Sequence, residues 1–276
     1  MYSGTSLHRF SGRVIGAHQK IDKVARRQLA ELLPSSKNKI FPGIQSILQF
    51  EGNKGPDAIK LKSPARDEPW HYYSPFDEDD SKLIELIKDH YTKLVEELKN
   101  KNKERVAFEA AWLAHAIVDG LTPAHHYPYE AKLVELRGGE GIETRTSIKE
   151  KLIMPGHNTG EMVKNNWKMW GPKGLLSTHH FFEIGAAVLL APLGLDEALP
   201  TKIDLKTLNE IGIVEVFKNT AKEVAVLDIY DTYYKKGWTA RLGWTVRNKL
   251  GPALVKTVVL AWYSAMIDAD LTKAKA

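Results

Sequence analysis

Apolar residues in this chain recur every three or four positions and almost nowhere every second one. That rhythm restricts the fold more than any other feature. Ile21, Val24, Ala25, Leu29 and Leu32 follow it across residues 15–33, and Leu83, Ile87, Tyr91, Leu94, Val95 and Leu98 repeat it after start signals at Asp79 to Ser81. Such a period lays one apolar face along a helix. Residues 104–118 are rich in alanine and apolar on most sides, the pattern of a helix buried all round. Further helical stretches cover residues 161–170, 178–190, 214–234 and 252–271. No run alternates with period two between turn signals, so no sheet is expected. Two segments break the rhythm: residues 34–75, with six prolines, and residues 121–146, with Pro123, Pro128 and the Gly138-Gly139 pair. Long irregular segments inside a compact domain usually carry function. With no repeat and no low-complexity linker, residues 1–276 read as a single all-α domain.

Composition limits the chemistry. There is no cysteine, which excludes disulfides, thiolate metal sites and thiol nucleophiles. Any transition-metal site must use nitrogen and oxygen, and ten histidines are present to supply the nitrogen. The net charge of +5 is mild. It permits contact with phosphates or anionic lipid without selecting either. The basic run Lys99 to Arg105 reads as a helix end on a solvated face. The N-terminal residues contain no apolar stretch of signal-peptide length. The greasiest windows, 181–195 and 254–267, fall short of the ~18–20 residues of a membrane span. A cytoplasmic protein is the expectation.

With 34 acids among 276 residues, about one of ten histidines should have an acid four places downstream by chance. Five do: His18–Asp22, His115–Asp119, His126–Glu130, His157–Glu161 and His179–Glu183. On a helix that spacing puts both side chains on one face, close enough to share a cation. The same spacing also makes a plain histidine–carboxylate hydrogen bond, so no single pair decides the matter. The segment WLAHAIVDGLTPAH is sharper. His115 and Asp119 there interrupt an otherwise apolar helix, and a buried carboxylate needs a partner. Gly120 and Pro123 then stop the helix and turn His125 back towards it.

The pattern His115-x3-Asp119-Gly120-x2-Pro123-x-His125 resembles the signature of the zinc-dependent phospholipases C and the related single-strand nucleases. That signature commonly reads His-x2-Gly-Asp-x2-Gln-Pro-x-His. Here Val118 precedes the aspartate, Gly120 follows it, and Thr122 replaces the glutamine. The resemblance extends in element order over residues 10–270. Asp57 and His71 stand fourteen apart in the proline-rich stretch, as the family's loop aspartate and histidine do. His18 matches a histidine on the family's first long helix. A downstream His-x3-Glu is also required, and two pairs fit. His157–Glu161 is preferred because it lies nearer His125 and opens an amphipathic helix, whereas His179–Glu183 resembles the ligand-free helix that follows. A capping box built on Asn158 and Glu161 is a purely structural account of the preferred pair.

The resemblance implies an all-α multi-helix domain with a metal cluster in a cleft between helices. Asp57, His71, His115 and Asp119 would hold a first zinc, and His125, His157 and Glu161 a second. Asp119 and His18 would reach a third, which the family completes with an N-terminal tryptophan. This chain has no tryptophan before Trp70, leaving His8 or a trimmed N-terminus as substitutes, neither of which follows from the motif. The implied activity is hydrolysis of phosphate diesters by a water bridging two zincs, with Asp57 as base or orienter. The substrate would be a phospholipid head group or a nucleotide, met with transient membrane-surface contact and no stable protein partner. Glutamate at position 161 leans towards the phospholipase branch. That branch holds choline with aromatics where this chain has Ala58 and Glu68, so a cage for a quaternary amine is not evident. A nuclease or phosphomonoesterase on the same metal core is the second reading, and a non-catalytic metal-stabilised helical protein the third.

Overall fold

In the computed structural model, residues 1–3, 16–52, 54–60 and 62–272 are described. They are helical or irregular, with no strand among them. Helix α1 (Ala17–Leu32) buries the apolar face that its periodicity marks out, including Ile21, Val24, Ala25 and Leu29. The proline-rich stretch forms only short helices, α2 (Ser35–Asn38), α3 (Ile44–Gln49) and α4 (Pro56–Lys60). Helices α5 (Lys82–Asn100) and α6 (Lys103–Gly120) pack closely on each other. Between them, Lys101 takes a left-handed conformation and the Asn102 side chain accepts from the Arg105 amide, capping α6.

The second irregular stretch contains α7 (Tyr129–Leu136) and is followed by α8 (Ile148–Leu152) and α9 (Thr159–Trp170). Helix α10 (Leu175–Leu190) begins three residues before the expected 178. Helix α11 (Lys202–Ala225) starts at a capping box between Thr201 and Asp204. Its first half escapes the periodicity because Gly212, at φ 74°, kinks the helix and shifts its apolar face. The single helix expected over 214–234 is two, since Asp228 at φ 50° separates α11 from α12 (Ile229–Lys236).

Helices α13 (Ala240–Thr245) and α14 (Gly251–Asp268) run together through a π-helical turn at Val246–Leu250. The apolar window 254–267 is therefore part of a 29-residue helix, long and apolar enough by composition to cross a membrane. Arg247 and Lys249 interrupt its hydropathy but not its backbone. Most of its apolar window, 72%, is buried within the protein. Helix α14 packs against α1, α5, α6 and α11, with Trp262 and Tyr263 fully enclosed and the Trp262 indole donating to the Ala110 carbonyl at 3.0 Å. This core sets the end of α6 against the irregular segments.

Candidate metal centre

Helix α6 supplies the centre of the site. Thirteen of its residues are buried, so His115 and Asp119 face protein rather than water. They share a face one turn apart, with His115 Nε2 3.3 Å from Asp119 Oδ2. The helix ends against side chains that leave no room for a β-carbon at Gly120, where one would stand 2.5 Å from Leu83 Cδ2 and 2.6 Å from Phe217 Cζ. Thr122 Oγ1 donates back to the Val118 carbonyl, and a short turn at Pro123–His125 brings His125 round to Asp119. The Tyr73 amide donates to the His125 carbonyl at 3.1 Å, tying the segment that carries His71 to this turn. The sequence thus folds back by local rules, and the backbone bond fixes the two loops together.

Asp119 is the hub. Its Oδ1 lies 3.3 Å from His18 Nε2 and 3.5 Å from His125 Nδ1, and it accepts a short hydrogen bond from the Met1 amine. Its Oδ2 faces His115 and, at 3.8 Å, Lys60 Nζ. Asp57, carried by α4, places Oδ1 3.7 Å from His115 Nε2 and 2.9 Å from Lys60 Nζ. The His71 and His125 rings meet edge to face at 5.2 Å between centroids. Beyond His125, Nε2 is 2.9 Å from Glu183 Oε1, which also lies 3.2 Å from His179 Nε2 and 3.3 Å from the Met1 amine. The His125 and His179 rings stack with 7° between planes, and those of His18 and His115 with 4°.

His18, Asp57, His71, His115, Asp119 and His125, the positions that the resemblance groups, thus lie together. His157 and Glu161 do not: both lie at the N-terminus of α9, where the His157 amide donates to Glu161 Oε2 and the Glu161 amide to Asn158 Oδ1, each at 2.9 Å. That pair is occupied in capping and lines a different cavity, with Tyr127, Lys168 and Tyr230. Its place beside His125 belongs to His179 and Glu183 on α10. The preference for the pair nearer in sequence is corrected because α10, more distant along the chain, packs against the turn carrying His125. His8 lies outside the described residues. The Met1 amine stands beside Asp119 and Glu183, and the Ala17 amide donates to the Tyr2 carbonyl at 2.8 Å.

Two further groups have no motif to announce them. Glu51 is fully buried and accepts from His115 Nδ1 at 2.8 Å, with His18 Nδ1 at 3.8 Å. Through that bond Glu51 orients the ring and leaves Nε2 to face Asp57 and Asp119. Lys60 follows Asp57 by three residues on α4, a spacing that gains meaning only once the helix is known.

The charges are mutually dependent. Burial disfavours the ionised form of Asp119, but the Met1 amine, His125, His115 and Lys60 hold it well below the usual carboxylate range. Glu183 is likewise held low against burial by the Met1 amine and His179. Burial would discharge His115, yet Glu51, Asp119 and Asp57 push it up to about 10. His125 goes the other way, down to about 4, chiefly through burial. Burial, Lys60 and His125 lower His71 as well.

The donor set fits divalent cations. Among the described residues, His18 Nε2, His115 Nε2, Asp119 Oδ2 and His125 Nδ1 are buried without hydrogen-bond partners. Four donors around a zinc-like ion at 2.0–2.2 Å stand about 3.3–3.6 Å from one another. The observed separations of 3.3, 3.3 and 3.5 Å around Asp119 match that spacing, and Asp57 stands 3.7 Å from His115 Nε2. Histidine and carboxylate donors without thiolate suit zinc and its neighbours. A cavity of about 300 Å³ opens on the cluster, walled by Trp70, Tyr72 and Tyr129. At its rim Glu68 pairs with Lys151 at 2.7 Å. No family model matches this chain, and comparison with curated proteins and with solved structures finds none similar to it.

Proposed function

We propose that this protein is a zinc-dependent hydrolase of phosphate diesters, of phospholipase C type. One observation carries the reading: Asp119 stands at ligand spacing from imidazole nitrogens on three sides, in a buried pocket open to a cavity. Asp57, His71, His115 and Asp119 would hold one cation, and His125, His179 and Glu183 a second. Asp119 and His18 would reach a third. When bound, the cations supply the charge that polarises phosphoryl oxygens and acidifies water.

The chain's own groups do the rest. Asp57 remains ionised, because Lys60 and His115 outweigh its burial. Its Oδ1 is a proton acceptor at the cavity edge, suited to orient a water or take its proton. The Lys60 ammonium, between Asp57 and Asp119, faces the same cavity and complements the negative charge of a phosphate. Tyr72 and Tyr129, stacked at 5.5 Å, form an apolar wall that limits water.

Hydrolysis of bis-p-nitrophenyl phosphate, phosphatidylcholine and single-stranded DNA by one preparation tests the reading, alongside metal analysis. His115→Ala is expected to lose bound metal and turnover together. His179→Ala should lose one cation, whereas His157→Ala should keep the full complement. Absence of bound metal from the folded protein would overturn the proposal, and cleavage of DNA alone would transfer it to a nuclease.

A further inference from the structure

The cavity that holds the cluster opens beside an apolar face that nothing among the described residues covers. Ile148 and Leu152, one turn apart on α8, line the cavity wall and are also exposed. The chain then runs along α9, where the Trp170 indole donates to the Leu152 carbonyl at 2.7 Å and Asn166 bonds both ways with the Met154 backbone. These bonds set Leu152 and Ile153 beside Trp170. On α9, Val163, Trp167 and Trp170 follow at helical spacing on one face, with Val163 61% and Trp167 68% exposed. Only Met169 of this helix is buried.

Lysines flank this face. Lys149, Lys164, Lys168 and Lys173 are exposed and lie outside the ion pairs seen among the described residues. The acids nearby have other partners: Glu150 accepts from Ser147 and Thr146, Glu161 from the His157 amide, and Glu135 and Glu140 pair with Lys132 and Arg137. An amphipathic helix with tryptophans on its apolar face and lysines beside it is the pattern that settles into a lipid headgroup region. Aliphatic side chains make up most of the face, which suits acyl chains better than stacked bases.

We infer that α8 and the outer face of α9 form a docking surface for an anionic lipid bilayer, seated so that the metal cavity opens towards the membrane. The inference rests on the hydrolase reading and extends it by naming the surface that delivers its substrate. A lipid leaving the bilayer would pass Ile148 and Leu152 before reaching Lys60 and Asp57.

Co-sedimentation of the full chain with phosphatidylcholine vesicles, with and without phosphatidylglycerol, tests it. Tight binding is expected only with the anionic lipid, weakening as salt is raised. Trp167→Ala should weaken binding by roughly tenfold. Lys164→Ala combined with Lys168→Ala should weaken it by roughly 25-fold, about fivefold per lysine near an anionic surface. Val163→Asp, on the same exposed face, gives the same readout should the tryptophan variant fail to fold. Equal vesicle binding by all variants, or none by the parent, would overturn the inference. So would self-association or single-stranded DNA binding that Trp167→Ala abolishes. Turnover of bis-p-nitrophenyl phosphate by the same samples separates the two readings. Loss of docking with turnover intact removes only the surface, and docking without turnover removes only the hydrolase.

Discussion

Glu51 illustrates how a single side chain can govern a cluster from behind. It accepts from the His115 nitrogen that faces away from Asp119 and reaches towards the equivalent nitrogen of His18. Imidazole ligands hold their orientation through such a bond on the far nitrogen, and losing it typically weakens metal binding roughly 10–100-fold. Glu51→Ala should therefore lower zinc affinity within that range, read by chelator competition on folded protein. Glu51→Gln, whose amide oxygen still accepts, should recover most of the loss. Equal affinity in both variants would show that Glu51 serves packing alone. Asp22 has its carboxyl raised well above the usual range by burial and by the neighbouring Glu51.

At the scale of an element, the end of α6 shows why a motif residue can be structural. Gly120 follows Asp119 because Leu83 from α5 and Phe217 from α11 close over the last turn. Neither contact is backbone, but both side chains are buried and have little room to move. Gly120→Ala should cost about 1–3 kcal/mol through overpacking and lower the melting temperature of the metal-free protein. Metal affinity should fall with it, since Asp119 would have to move with the helix end. An unchanged melting temperature would mean that the two helices part without cost. Much at this scale is legible in the sequence. Apolar spacing marks α1, α5, α6, α9, α10 and α14, because burial of one face is what stabilises each. It misses the kink of α11 and the break at Asp228, which depend on single backbone conformations rather than on a pattern.

For the whole molecule, linked protonation makes stability depend on pH in both directions. His125 and His126 are lowered to about 4, mainly by burial, so below their usual 6.5 the unfolded chain binds protons that the folded one refuses. Stability should fall as pH drops from about 6.5 to 4, and further as Asp119 and Glu183, both held low, are protonated. His115 runs the opposite way. Raised to about 10, it contributes stability that is complete below 6.5 and lost as pH climbs towards 10. The metal-free protein should be most stable near neutral pH. Bound zinc should abolish the alkaline loss, because a ligating imidazole is already neutral. Denaturant titrations from acid to alkaline pH, with chelator and with zinc, measure both limbs. A flat metal-free profile would refute the linkage.

The amino-acid sequence by itself determined the helices, the pairing of His115 with Asp119 and the turn that returns His125, because each depends on contacts within a few residues. Asp57 and His71 stood out only through the family resemblance, since a separation of fourteen residues has no local physical meaning. The sequence could not choose between His157–Glu161 and His179–Glu183, since both satisfy the same one-turn geometry and local rules treat them alike. Tertiary packing decided for His179 and Glu183 by setting α10 against the turn at His125, while the first pair closed on itself as a helix cap. Glu51, Lys60 and the Met1 amine also enter only there. Their partners lie far along the chain or on a neighbouring turn, and a buried charge finds its partner only when the fold has closed around it.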